Sequence, residues 1–130
     1  MADTFRFELV TPERMALSED VAQVVVPGVE GEFTVLPGHA PVISALRPGV
    51  IEVALPDASK TRLFVKGGFA EVDVNYLTVL AERALPVDDM DAGVIATELE
   101  TAEAELAAAG DDASRLAAAS AVDRLKALRG

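Results

Sequence analysis

Apolar and polar residues alternate at the start of the chain, where Phe5, Phe7 and Leu9 are separated by Arg6 and Glu8. A period of two residues is typical of a β-strand that buries one face. The pattern therefore predicts a half-buried strand at this position. Apolar runs bounded by turn residues predict further strands at residues 21–26, 51–55, 63–65, 69–74 and 77–80.

Turn-forming residues separate these runs. Pro27 and Gly28 follow the second run, residues 56–59 follow the third, and Asn75 with Tyr76 precedes the last. The pair Gly67-Gly68 lies between two runs and is expected to mark a bulge or a close approach of two backbones. Short strands at this spacing favour a sandwich or flattened barrel over a βαβ arrangement.

The hydrophobic period becomes helical after Pro86. Two apolar stripes follow, and their members are Ile95, Leu99, Ala102 and Leu106, then Ala118, Val122, Leu125 and Leu128. Gly110 lies between the stripes and is a typical helix terminator. The pattern predicts two helices joined by a tight turn.

Acidic residues precede both predicted helices. We expect Asp88 to cap the first helix, with Asp91 facing the positive end of its dipole. Asp111 or Asp112 is expected to cap the second helix.

The composition changes at the same boundary. All 7 Pro and all 6 aromatic residues lie at or before Pro86, whereas Ala supplies 13 of the last 44 residues. The sequence therefore predicts an α+β protein, with an all-β sandwich or flattened barrel in residues 1–86 and an antiparallel two-helix hairpin in residues 87–130. Because Ala-rich faces bury little apolar area, we expect the hairpin to dock weakly and to move.

Charge and composition narrow the function. The chain has 11 Lys and Arg residues against 22 Asp and Glu residues, a formal net charge of -11, which argues against nucleic acid or an anionic bilayer as the main partner. Cysteine is absent and His39 is the single histidine, so disulfides, thiolate sites and histidine clusters are excluded. No apolar stretch approaches the roughly 20 residues of a membrane span, and the N-terminus lacks a signal-peptide layout. We expect a soluble, cytoplasmic protein.

Candidate catalytic and metal-binding residues are few. His39 lies among Pro and Gly residues, and no spacing supplies the carboxylate and nucleophile that a general base would need. Asp88, Asp89 and Asp91 lack the glycine and distal glutamate of an EF-hand loop, so helix capping is the stronger interpretation and no metal site is predicted. The residues favour a binding or regulatory protein over an enzyme.

Basic residues on the second predicted helix have two interpretations. Arg115, Lys126 and Arg129 lie along one flank of its apolar stripe, and Arg124 lies on the opposite side. The flank is either a solvated surface, with cations favourably placed near the helix C-terminus, or a basic edge that meets an acidic partner.

Several motifs together resemble one family. Residues 30–41 read EGEFTVLPGHAP, residues 47–49 read RPG, residues 67–72 read GGFAEV and residues 77–82 read LTVLAE. Their order and spacing, with LVTPE at residues 9–13, resemble the epsilon subunits of rotary ATP synthases over residues 5 to 84.

The resemblance implies a non-catalytic subunit of the central stalk, in which the β domain binds the gamma subunit and rests on the ring of c subunits. The segment that matches best points to Glu32, Pro37, Gly38, His39 and Pro41 as the interface. It also implies a peripheral place on the cytoplasmic face of a bacterial inner membrane.

The resemblance also implies a role for the hairpin, which in many relatives can extend toward the alpha and beta subunits and inhibit ATP hydrolysis. Arg115, Arg124, Lys126 and Arg129 are the candidates for inhibitory contacts here.

Some relatives also bind ATP through a motif of the form I/L-D-x-x-R-A, which Asp88 and Ala92 match. Asp91 stands where that motif has arginine, so we expect ATP binding to be weak or absent and no cofactor to be held.

A different class of protein remains open at this point. A free-standing acidic adaptor, with a β-sandwich and a helix-pair docking surface, would share the composition and the predicted elements. Co-purification with a gamma subunit separates the two hypotheses.

Overall fold

The computed structural model describes residues 3–130, in which ten strands precede two helices. The strands are β1 (Phe5–Val10), β2 (Met15–Val21), β3 (Gln23–Gly28), β4 (Gly31–Val35), β5 (Val42–Leu46), β6 (Gly49–Ala54), β7 (Lys60–Val65), β8 (Gly68–Val72), β9 (Tyr76–Ala81) and β10 (Ala84–Pro86). A 3-10 turn (Val87–Asp89) leads to helices α1 (Ala92–Ala108) and α2 (Asp112–Arg129). The predicted α+β class is confirmed.

The strands form one hydrogen-bonded path that folds into a nearly closed sandwich. The order along the path is β10-β7-β6-β3-β5-β8-β9-β1-β2, with β4 paired to β3. Strand β3 carries the path from one layer to the other, because its first residues pair with β6 and its last, Gly28, pairs with Leu46 of β5. Among the described ladders, only β1 with β9 is parallel.

The core between the layers is apolar. Side chains that alternate inward along the strands fill it, including Phe7, Leu9, Ile51, Val53 and Leu77, each 0% exposed. No buried side-chain nitrogen or oxygen among residues 3–130 lacks a hydrogen-bond partner. The alternation at Phe5 to Leu9 and at Ile51 to Leu55 therefore predicted the inward faces correctly.

The predicted single strand over residues 21–26 is wrong. The run is divided at Ala22, whose N–H donates to the carbonyl oxygen of Ala54 at 2.8 Å. Before this point Val21 pairs with Phe5 of β1, and after it Gln23 pairs with Ala54 of β6. The run is split because the chain passes from one strand partner to another, which hydrophobic content does not reveal.

The double glycine marks a close backbone approach, as predicted. Gly67 and Gly68 have φ values of +76° and +124°, a region that side chains of L-residues rarely adopt. A Cβ at Gly68 would lie 1.9 Å from the carbonyl oxygen of Leu80. Only glycine lets β8 pair with β9 at this position.

Both helical stripes face inward, as predicted. Ile95, Leu99 and Ala102 are buried on α1, and Ala118, Val122 and Leu125 are buried on α2. The partly buried Leu106 and Leu128 pack against the apolar cluster that the two helices form with Phe64.

The prediction of Asp88 as a helix cap is wrong. Asp88 lies in the 3-10 turn, and Asp91 caps α1 by accepting a hydrogen bond from the Val94 N–H at 2.9 Å. The short turn inserts before the helix, which delays its start. Asp111 caps α2 through the Ser114 N–H at 2.7 Å, so the first of the two predicted candidates is correct.

A second apolar cluster joins the hairpin to the sandwich. Phe64 of β7 points away from the main core and is 1% exposed, because Met90, Ile95 and the buried residues of α2 cover it. Val50 and Leu85 of the sandwich pack against this cluster. The helix pair therefore lies on the outer face of the β6–β7–β10 layer.

Candidate functional site

The loop between β4 and β5 carries Pro37, Gly38, His39 and Pro41, and backbone hydrogen bonds fix its shape. The Gly38 N–H donates to the carbonyl oxygen of Val74 at 3.1 Å, and the His39 N–H donates to that of Leu36 at 3.1 Å. Gly38 has a φ of +83°, which favours glycine at this turn. The first bond ties the loop to the turn between β8 and β9.

Glu32 lies on the neighbouring strand. It is exposed on β4, opposite Pro27 of β3, and it follows the β3–β4 turn. Its chain neighbour Phe33 packs toward the loop, with the Phe33 and His39 ring centroids 6.5 Å apart. The structure thus places the predicted interface residues on one strand and the loop that follows it.

The imidazole of His39 is oriented by its own backbone. Its Nδ1 lies 2.7 Å from the carbonyl oxygen of Ala40, and a carbonyl oxygen only accepts, so Nδ1 carries a hydrogen. The ring is half-buried and contacts no carboxylate in the described part of the chain. This arrangement suits an interface residue and not a general base.

Exposed apolar side chains adjoin the loop. Ile43 of β5 is 72% exposed, and Leu36, Val42, Val74 and Tyr76 are also exposed. Pro41, Val42, Ile43 and Tyr76 share one open cleft with Glu71. The negative charge of Glu71 raises the pKa of the Tyr76 hydroxyl.

A second apolar row crosses the outer face of the β8–β9–β1–β2 layer. Phe69 is paired with Leu80, Leu80 with Val10, and Val10 with Met15. Phe69, Leu80 and Met15 are each more than half exposed. Contiguous exposed apolar residues are typical of a surface that another protein covers.

This row was missed from the sequence, although a signal was present. Phe69, Val72 and Val74 were grouped in one predicted strand, yet Ala70 and Val72 point inward and Phe69 points outward. Side chains alternate between the two faces of a strand, so Ala70 lies on the inward face with Val72 and the Phe69 ring lies on the solvent face.

The four basic residues of α2 do not form one group. Arg124 is half-buried against the sandwich, whereas Arg115, Lys126 and Arg129 are exposed. Arg115 pairs with Asp112 at 3.2 Å on the helix surface. Lys126 and Arg129 lie in the last turn, where cations interact favourably with the helix dipole.

The two residues that match the ATP-binding motif lie where the helical hairpin begins. Asp88 lies in the 3-10 turn, and Ala92 is the first residue of α1. The carboxylate of Asp91 accepts the Val94 N–H, so an anion already occupies the positive end of the helix. A phosphate group would meet a negative charge at this position.

Three polar contacts connect the helices to the sandwich, and none was predicted. The Ser120 hydroxyl donates to the carbonyl oxygen of Pro48 at 2.9 Å. Arg83 pairs with Glu98 at 3.0 Å. The third contact is an ion pair between Lys66 and Glu105. Each joins residues far apart in the chain, so hydrophobic periodicity carried no signal for them.

The described residues contain neither a metal-binding cluster nor a membrane-spanning helix. No group of three or more His, Cys, Asp or Glu side chains within residues 3–130 could hold a metal ion. In the same part of the chain, no helix is both long and apolar enough to cross a bilayer.

Known proteins resemble this chain closely. A family model described as "ATP synthase, Delta/Epsilon chain, beta-sandwich domain" matches residues 4–87. The protein named ATP synthase epsilon chain from Parvibaculum lavamentivorans is 47% identical, covering 99% of this chain and 98% of its own length. Its counterpart of the same name from Maricaulis maris is also 47% identical, with 99% and 96% covered.

Solved structures agree with these sequence comparisons. A chain in a structure of Euglena gracilis mitochondrial ATP synthase, described as OSCP/F1/c-ring, superimposes with a TM-score of 0.74 at 28% identity. That alignment covers 96% of this chain and 79% of the other. A chain from the Tetrahymena thermophila mitochondrial enzyme shares the fold, with a TM-score of 0.69 at 14% identity and 98% of both chains covered.

Proposed function

The chain belongs to the family of ATP synthase epsilon chains, and we propose that its sandwich joins the gamma subunit to the ring of c subunits through two separate surfaces. It is a non-catalytic subunit of the rotor and not a free-standing adaptor. Proteins named ATP synthase epsilon chain align with it over nearly their whole length. The observation that carries the proposal is that one small domain presents both an exposed carboxylate, Glu32 of β4, and a separate exposed apolar face.

The acidic surface suits the ring. Glu32 is exposed on β4, the strand that precedes the loop at Pro37 to Pro41, and the loop backbone is held in place by the Gly38–Val74 hydrogen bond. In this family the corresponding acidic residue meets the polar, basic loops of the c subunits. A carboxylate that is partly shielded there would contribute about 1–3 kcal/mol through charge-assisted hydrogen bonds.

The apolar surface suits the gamma subunit. Phe69, Leu80 and Met15 offer a row of large side chains without a covering element among the described residues. A partner that covered them would bury apolar area at about 25 cal/mol per Å². Permanent subunit contacts are richer in such area than transient ones, which fits a subunit that turns with gamma.

Placement in the cell follows from the assembly. The subunit is peripheral to the membrane part of the synthase, and its partners bring it there. We propose that it lies on the cytoplasmic face of a bacterial inner membrane. The similarity to bacterial epsilon chains supports it.

The hairpin is proposed as a regulatory element with limited inhibitory strength. Arg115, Lys126 and Arg129 are available to an acidic surface of the alpha and beta subunits, but Arg124 faces the sandwich while the hairpin is docked. ATP is not part of the proposal, because Asp91 replaces the motif arginine and caps α1.

Substitution of Glu32 tests the ring contact. We expect Glu32→Lys to weaken ATP-driven proton pumping by reconstituted synthase vesicles while ATP hydrolysis continues, because a cation would repel the basic loops. Glu30→Lys is the matched control, since Glu30 is an exposed carboxylate in the adjacent turn. Proton pumping is measured by quenching of a pH-sensitive dye. Unchanged pumping with Glu32→Lys would contradict the assignment of Glu32 to the ring contact.

Removal of residues 87–130 tests the hairpin. We expect a modest rise in the ATP hydrolysis rate of the assembled complex, because the hairpin is proposed to inhibit with limited strength. A full-length variant with Arg115, Lys126 and Arg129 changed to Gln separates lost charge from lost helices. No rise in either variant would reduce the hairpin to a structural appendage.

A further inference from the structure

We infer that two ion pairs, Lys66–Glu105 and Arg83–Glu98, form an ionic clasp that holds α1 on the sandwich, so that release of the hairpin depends on ionic strength. The sandwich supplies both cations of the clasp, and α1 supplies both carboxylates. The inference goes beyond the proposed function, because it concerns the free chain and needs no partner subunit.

The two cations are neighbours at one end of the β7–β10 ladder. Lys66 directly follows β7, and Arg83 directly precedes β10. The Lys66 N–H donates to the Arg83 carbonyl oxygen at 3.0 Å, one step beyond the pairing of Val65 with Ala84. Like charges at facing positions of two strands repel each other, so this end of the sandwich favours a negatively charged cover.

The two carboxylates lie on one face of α1. Glu98 and Glu105 are seven positions apart, which is close to two helical turns and about 10 Å along the helix axis. Between them lies the buried Ala102, so the acidic row borders the face that α1 turns toward the sandwich. One helix face therefore meets both cations.

Each ion pair has one member that is largely shielded from water. The Glu98 side chain is 12% exposed and lies 3.0 Å from Arg83, measured from Oε1 to Nε. In the other pair the Lys66 side chain is 22% exposed. Charges that are partly removed from water attract each other more strongly than fully exposed ones.

Neighbouring carboxylates do not share in the clasp. Glu82 borders the same cleft as Lys66 and Glu105, yet it forms no ion pair within residues 3–130. Glu103 is exposed on α1 and also forms no ion pair in that part of the chain. Among the described residues, no other hydrogen bond or ion pair joins α1 to the sandwich. The structure thus singles out Glu98 and Glu105.

Small side chains leave a gap beneath the outer end of the hairpin. A cleft of about 600 Å³ lies between this end and the sandwich, and its helical wall includes Ala108, Ala109 and Ala117. Alanine buries little apolar area, so packing contributes less here than around Phe64. Lys66 and Glu105 belong to opposite walls of this cleft, and their ion pair spans it.

The clasp makes docking of the hairpin sensitive to salt. The Debye length falls from about 10 Å at 0.1 M to about 3 Å at 1 M salt, so added salt weakens attraction between partly exposed charges. Salt does not weaken the apolar contacts around Phe64 in this way. Sodium chloride should therefore loosen α1 while the strands stay closed.

Double-mutant cycles on the free, full-length chain test the clasp, with hydrogen–deuterium exchange of α1 amides as the measurement. One cycle combines Lys66→Gln with Glu105→Gln, and the other combines Arg83→Gln with Glu98→Gln. Each single change should raise the opening of α1 about two- to fivefold, and each combination should raise it no further than one change alone.

Glu103→Gln is the matched control. It removes the same charge from an exposed position of the same helix and should not raise the opening of α1.

Salt gives a second measurement. Between about 0.1 M and 1 M sodium chloride, the opening of α1 should rise in the wild type. The variant that combines Lys66→Gln with Arg83→Gln lacks both cations of the clasp, and its response to salt should be much smaller.

The outcomes are distinct. Multiplying effects within a pair, no effect of the single changes, or an equal effect of Glu103→Gln would overturn the clasp. The same salt response with and without the two cations would also overturn it. Proton pumping by Glu32→Lys tests the proposed function separately, since the clasp is measured on the free chain.

Discussion

Ser120 on α2 donates its hydroxyl hydrogen to the carbonyl oxygen of Pro48, 2.9 Å away and 72 positions earlier in the chain. Pro48 is buried just before β6, so its carbonyl group has limited access to water. The bond thereby satisfies a buried acceptor and fixes α2 against the sandwich. It connects the helix to the RPG segment, which was noted in the sequence only as a family motif.

Replacing Ser120 with Ala should weaken docking of the hairpin by about 1 kcal/mol, the usual net value of such a bond. The expected observation is faster hydrogen exchange of α2 amides with little change in the sandwich. Leu116→Ala is the control, because Leu116 is 76% exposed on the same helix. Equal exchange in both variants would show that the Pro48 contact contributes nothing to docking.

Gly68→Ala should destabilise the sandwich by roughly 3 kcal/mol or more, since the added Cβ would collide with the Leu80 carbonyl oxygen at an unfavourable φ. Denaturant unfolding followed by circular dichroism measures the change in the free energy of unfolding. Gly110→Ala is the matched control, because a Cβ there meets no atom within 4 Å. A stability like that of the wild type in Gly68→Ala would contradict the close approach.

The cap of α2 should respond to acid. Hydrogen bonds from Ser114 lower the pKa of Asp111 in the folded chain. A lowered folded pKa means that the cap stabilises the helix above the pKa of the unfolded chain, and that this stability is lost as pH falls through the folded pKa. The Ser114 amide resonance in NMR spectra should therefore shift below about pH 4.

Asp111→Asn provides the comparison for that titration. Asn caps helices about as well as Asp and has no carboxyl group to protonate, so its Ser114 resonance should remain constant over the same pH range. If both proteins showed the same low-pH shift, the titrating group would lie elsewhere.

A charge on the exposed apolar row should disrupt gamma binding. Phe69→Glu places a carboxylate beside Leu80 on the face proposed for gamma, and desolvating it there would cost affinity. The affinity for gamma should fall at least tenfold in Kd. Reduced co-purification with gamma would reveal this loss of affinity. Leu116→Glu alters an even more exposed apolar residue on α2 and should leave gamma bound. Retention of gamma by Phe69→Glu would exclude this face.

The local patterns of the chain predicted those elements that bury a regular stripe. The strand around Ile51 and Val53 and the helices around Leu99 and Leu125 are examples, since each has one face against a core. Strand β5 was not predicted. Val42 and Ile43 are both exposed at its start, so inward and outward positions do not alternate in hydrophobicity there.

The candidate site also has some features that the sequence predicts and others that only the structure shows. The loop at Pro37 to Pro41 and Glu32 came from a family resemblance, and the structure places Glu32 on β4 and the loop directly after that strand. The Ser120 bond and the Phe69 row depend on how distant segments meet. Such contacts are set by strand order and helix docking, which no local period encodes.

The parallel ladder between β1 and β9 restricts the order in which the sandwich can form. Phe7 pairs with Leu77, so the first strand lacks this neighbour until the chain has been synthesised beyond Ala81. Contacts so distant in sequence slow folding, because a long loop must close before they form. On the ribosome the sandwich therefore closes late, and the β1–β2 hairpin must wait with one edge unpaired until nearly two thirds of the protein has emerged.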